Sequence, residues 1–160
     1  MVNIKGHKLP DELVTELGKF AILWSSYEDK KCGNHASPGN IKNSIKNMRI
    51  NRAKVEKLHR VFEERYMEQK RRIDAIQDKK MTVEDYIHNG FFPDGSNNNS
   101  VGAQEKEMAD FMKSKNNDYG CFLMIYRVRN NFMHGLKAIE CLEDQLEMFK
   151  AINDVLESIS

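Results

Sequence analysis

Proline and glycine are scarce in this chain of 160 residues, with three and nine copies respectively, and long stretches contain neither. Strict apolar–polar alternation in beta-branched runs is also missing. Those two gaps remove the usual marks of a sheet protein and leave helices. No apolar run approaches the ~18 residues that a membrane span needs, so a transmembrane protein is not expected. The first residues, Met1 to Lys8, contain no apolar core and no small-residue cleavage site, which argues against a secretory signal. Three cysteines, Cys32, Cys121 and Cys141, are too few and too scattered for a disulfide framework. They read as reduced thiols in a cytoplasmic protein. Asn98-Asn99-Ser100 then marks a polar loop and not a glycan site. Large net charge is missing too, at +1, while 40% apolar and 31% charged residues fit a single globular domain over 1–160.

The small net charge hides an asymmetry. Residues 41–80 hold thirteen Lys/Arg against six Asp/Glu. Residues 1–40 balance at five of each, residues 81–100 have three acids and no base, and residues 101–160 have seven bases against ten acids. A basic segment can follow a phosphate backbone. On charge alone, a solvated helix face with internal Glu–Lys pairs explains it more simply.

Helical spacing organises the chain. A first helix is predicted from about Pro10-Asp11-Glu12 to Cys32-Gly33-Asn34, with Leu13, Leu17, Phe20 and Trp24 on its apolar face. His35 to Asn40 reads as a turn. Residues 41–79 carry a helical pattern of about 58 Å at ~1.5 Å per residue, long enough that a kink or break is expected to be tolerated. Thr82 and Asp85 mark a short helix start, and residues 103–114 form another short helix. The Asn/Gly/Ser tract within 90–102 is predicted to be a mobile loop. Tyr119 to Asn131 is the most apolar stretch and reads as a buried central helix closed at His134-Gly135. The last helix is predicted over about 138–159. The sum is an all-α protein, an antiparallel helical bundle of four main helices plus short extra ones.

Chemistry concentrates where the central helix ends, at Arg129-Asn130-Asn131-Phe132-Met133-His134-Gly135. Asn130 and His134 are four apart and share a face, with Arg129 one position away. Arginine supplies a fixed planar cation suited to phosphate, histidine exchanges protons near neutrality, and asparagine can orient either. The plainer reading is a helix stop, in which Arg and His complement the dipole and Gly135 ends the turn. Other candidates are thinner. Cys32 and His35 have the spacing of half a zinc site without a second close pair, so no metal is expected. No glycine-rich phosphate loop or nucleophile elbow occurs, and no cofactor is called for.

The string from Arg129 to His134, with four residues between them, resembles the signature of HEPN domains, an Arg often followed by Asn and then, after four to six residues, a His. Tyr126 and Val128 before it, Gly135 and Lys137 after it, and a closing amphipathic helix are similar to the branch that includes Apea-like proteins. Leu23, Trp24, Tyr27 and Glu28 resemble the first helix of such proteins. The loop at 90–102 and the basic helix lie outside the resemblance.

The resemblance implies a metal-independent endoribonuclease acting as a homodimer, with two Arg/His motifs meeting in one cleft, and often serving as a toxin or defence effector. Its partners would be RNA and an antitoxin or defence-system protein. It implies His134 as general acid or base in attack by the ribose 2′-hydroxyl. Arg129 would hold the phosphate, and Asn130 would orient His134. Glu28 would position Arg129 from the first helix, and Asn131 and Lys137 would support the site. Members paired with nucleotidyltransferase antitoxins commonly have a Tyr just after the His. Gly135 and Leu136 stand there, which argues against regulation through that Tyr. A non-catalytic module of the same fold, binding RNA or a protein partner, is the alternative. A plain helical interaction protein is the third reading.

Overall fold

The computed structural model describes residues 1–77, 80–88, 102–134 and 142–160, with the side chains of 76, 77, 133 and 134 excepted. It is an all-α bundle. The helices are α1 (Asp11–Lys31), α2 (Pro38–Lys46), α3 (Arg52–Phe62), α4 (Glu68–Gln77), α5 (Val83–Tyr86), α6 (Ala103–Ser114), α7 (Asp118–His134) and α8 (Leu146–Glu157). The expected loop over 90–102 lies outside the described residues except for Gly102, and so do Gly135 to Cys141.

A small hairpin that the sequence reading lacked precedes the bundle. Strand β1 (Val2–Ile4) pairs antiparallel with β2 (His7–Leu9). Lys5 and Gly6 both have positive φ, as a tight two-residue hairpin turn demands, and Asn3 Oδ1 accepts from the Gly6 amide at 3.0 Å. Strands of three residues are too short for alternation to show.

Three boundaries move for local reasons. The expected turn at 35–40 is already helix from Pro38, because Ser37 caps it through the Asn40 amide and Pro38 fits the first turn. The long pattern from 41 breaks after Lys46. Asn51 caps a fresh helix by accepting from the Lys54 amide, and Arg49 in the break exchanges two backbone hydrogen bonds with Ser160. From Arg52 the chain then stays helical to Gln77, passing through a π-helical stretch at Glu63–Met67. The final helix begins later than expected, at Leu146, after a 3₁₀ turn at Glu143–Gln145.

The core joins Phe20, Trp24 and Tyr27 of α1, Leu58 and Phe62 of α3, Phe111 of α6, Phe122 and Ile125 of α7, and Phe149 and Ile152 of α8. Direction of packing follows from the pairs. Tyr27 meets Phe122, Trp24 meets Tyr126, and Phe20 meets Phe132, so α1 and α7 run antiparallel. Lys57 with Asp154 and Tyr66 with Met148 make the helix from Arg52 antiparallel to α8. The neighbours α1 and α8 are the exception. Glu12 pairs with Lys150, Glu16 with Asn153 and Lys19 with Glu157, so residue numbers climb together and the two helices are parallel. Hydrophobic periodicity fixes which face is buried and carries no information on direction.

At Gly120, α7 passes close to the backbone of α6. A β-carbon there would stand 2.2 Å from the Glu107 carbonyl oxygen and 3.0 Å from the Phe111 β-carbon. Backbone cannot yield as a side-chain tip can. Gly120→Ala is therefore expected to destabilise by about 1–3 kcal/mol, as overpacked cores do, measured by urea unfolding.

Candidate functional site

Helix α7 carries the candidate residues, and its inward face sets their height. Phe122, Ile125, Arg129 and Phe132 follow at spacings of three and four, which places them on one side. Phe122 and Ile125 are fully buried, and Phe132 lies edge-on to Phe20 and Phe149 with centroids 6.5 and 5.9 Å away. Arg129 thus stands in an apolar row, half-buried. Its Nη1 donates to Asn130 Oδ1 at 3.0 Å, and no carboxylate pairs with it among the described residues. A partly buried cation with no counter-charge among the described residues is costly in a helix that serves only as scaffold. It leaves the guanidinium able to take an anion from outside.

Asn130 is half-buried beside it, and Asn131 is exposed. His134 is the last residue of α7, one turn beyond Asn130 on the same face. Its side chain, and all of Lys137, lie outside the described residues. Glu28 is occupied elsewhere. Its Oε2 accepts from the Ala36 amide at 3.0 Å and its carbonyl accepts from Cys32 and Asn34, so it ties down the chain between α1 and α2. On the antiparallel α1–α7 pair it is level with Phe122, not with Arg129. The geometry brings Arg129 and Asn130 together and gives Glu28 a different task.

No known protein family, curated protein or solved structure matches this chain. The site rests on its own residues.

The sequence reading missed a second arginine cluster on the opposite side of α7. Arg127 reaches α6, where its Nη2 donates to Glu105 Oε1 at 2.8 Å. Nδ1 of His88 lies 3.6 Å from the same oxygen. The Arg127 and Glu105 side chains are only 15% and 11% exposed. Arg127 Nη1 is buried with no hydrogen-bond partner among the described residues. Glu105 is 22 residues from Arg127, and no local motif links them. Burial pushes the Glu105 carboxyl up, but its own amide, Arg127 and His88 outweigh burial and hold it below the usual glutamate value of 4.5. A lowered folded value means that its stabilisation is complete above the unfolded value and fades as pH falls through the lower one. The stability gap between the parent protein and Glu105→Gln is expected to be widest above about pH 4.5 and to close below it, read from urea melts across that range.

Two free cysteines, Cys32 and Cys121, are buried. Burial pushes both thiols up, so neither resembles a reactive thiolate. Tyr27, beside Cys32, donates to or accepts from Ser44 Oγ at 2.7 Å and pins α2 to α1. No described helix is long and apolar enough to cross a membrane.

Proposed function

We propose that this chain is a HEPN-like, metal-independent endoribonuclease of the cytoplasm whose working pair is Arg129 and His134. The observation that carries the reading is Arg129 itself, a cation in an apolar helical row, held by an amide and lacking a carboxylate among the described residues. Arg127, two residues earlier, has its carboxylate in Glu105 and is structural. His134 follows at the helix end, where it would take the 2′-hydroxyl proton or return one to the departing 5′-oxygen. Arg129 would neutralise charge growing on the phosphorus-bound oxygens. Asn130 would orient one or both. Two such helix ends meeting across a two-fold axis would complete the cleft. An antitoxin or defence partner would restrain it. Cleavage through the 2′-hydroxyl requires RNA, so DNA of the same sequence should survive.

The test is incubation of RNA with purified protein in excess EDTA. Cleavage that persists under chelation and disappears in His134→Ala supports the reading. RNA binding with no cleavage by the parent protein would turn it into a non-catalytic RNA-binding module.

A further inference from the structure

The fold gathers unpaired basic side chains at the end of the bundle opposite His134. Helix α7 has 17 residues, which sets its two ends about 24 Å apart at ~1.5 Å per residue. Around its first turn, Lys42 Nζ stands 5.8 Å over the Tyr119 ring. Arg52 binds Asp118 and donates to the Lys115 carbonyl at 3.3 Å. Arg49 is locked to Ser160 through the backbone. Lys30 and Lys31 line one cleft with Leu156 and Ile159, the residue before Ser160. Lys46 ends α2, three residues before Arg49.

Lys30, Lys31, Lys42, Lys46, Arg49 and Lys115 thus share one end, and none forms an ion pair among the described residues; all but the half-buried Lys31 are exposed. The nearby acids are engaged or turned away. Asp118 is held by Arg52, and Glu157, which lines the cleft of Lys30 and Lys31, by Lys19; Glu107 and Asp110 accept from the Asn117 side chain, and Asp29 lines a separate cleft with Ser25 and Asn34. Elsewhere in the basic segment Lys57 pairs with Asp154, Lys70 with Asp74, and Arg71 and Arg72 share Glu68, while Lys54, Arg60 and Lys80 form no ion pair among the described residues.

We infer that this end of the bundle binds the phosphate backbone of single-stranded RNA, apart from the Arg129–His134 end. The cations sit on separate elements and do not converge on one spot, which suits a polymer better than a single phosphate. No large apolar side chain is exposed at this end among the described residues. The exposed ones, Met1, Val2, Ile4 and Ile22, belong to the hairpin and to the middle of α1, so a lipid surface would find no anchor. The inference rests on the proposed function only for choosing RNA as the polymer.

The test is fluorescence anisotropy of a labelled single-stranded RNA in EDTA over a salt series, with the same samples run on a gel for cleavage. The double variant Lys46→Gln/Arg49→Gln is expected to bind about 10-fold more weakly at low salt. Its log–log salt slope should be shallower by about 1.4, at ~0.7 per phosphate contact on a single strand. Lys30→Gln/Lys31→Gln should act in the same direction. Lys5→Gln/Lys8→Gln, which removes equal charge at the hairpin, should bind as the parent does. Arg129→Ala should lose cleavage and lower the slope by no more than the ~0.7 of its own phosphate contact. Unchanged affinity and slope in both end variants would overturn the inference, as would no measurable RNA binding by the parent. Charge-dependent binding at this end without any cleavage would sustain it and defeat the nuclease.

Discussion

Replacing Arg127 by alanine is expected to destabilise the protein by about 3–5 kcal/mol, the usual result when one partner of a buried ion pair is removed. Its guanidinium is almost wholly inside, and Glu105 would be left there with the His88 ring 3.6 Å away and no arginine. For a chain of this size the melting temperature should drop by roughly 10 °C. A control separates lost charge pairing from lost packing. Arg127→Met combined with Glu105→Gln removes both charges and keeps most of the volume. It should lose clearly less than the sum of the single variants, because neither charge is left stranded. A double variant as unstable as that sum would mean that the cluster matters only as packing.

Arg129 should behave in the opposite way. Arg129→Ala gives up one hydrogen bond to Asn130 and, among the described residues, no ion pair, so stability should change by about 1 kcal/mol or less. Cleavage of RNA should nevertheless fall by about 10²–10³, the loss typical of removing one donor to a charge that develops in the transition state. Arg129→Lys should recover only part of the rate, since an ammonium lacks the planar fork that grips two phosphate oxygens. His134→Ala should cost about 10²–10⁴ through loss of proton transfer. The contrast between the two arginines is the sharpest check. If Arg129→Ala unfolds the protein and leaves the cleavage rate of the folded fraction unchanged, the functional assignment along α7 is wrong.

Much of the architecture was legible because apolar periodicity is local. The faces of α1, α6 and α7, and the Thr82 cap, could be read from spacing and capping residues alone. A break in the 41–79 pattern was allowed by its length, but its place at Asn47–Asn51 was not legible, because what fixes it is a backbone exchange with Ser160, more than a hundred residues away. Asn51 and its cap were present in the sequence but were masked by the continuing apolar pattern. The candidate site divides in the same way. Arg129 and Asn130 are adjacent and their pairing was within reach of the sequence, whereas the roles of Glu28 and Arg127 depend on Ala36 and Glu105. A string of residues can propose a cation. Only the fold shows which of two arginines already has its counter-charge.

The parallel pairing of α1 with α8 has a consequence for synthesis. Glu12 and Lys150 are 138 positions apart. At ribosomal speeds of ~5–20 residues per second, α1 waits about 7–28 s for the helix that covers it. Trp24 and Tyr27 gain their partners when α7 emerges, whereas the face of α1 that carries Glu12, Glu16 and Lys19 stays uncovered until α8. The bundle can therefore close only after translation has reached α8.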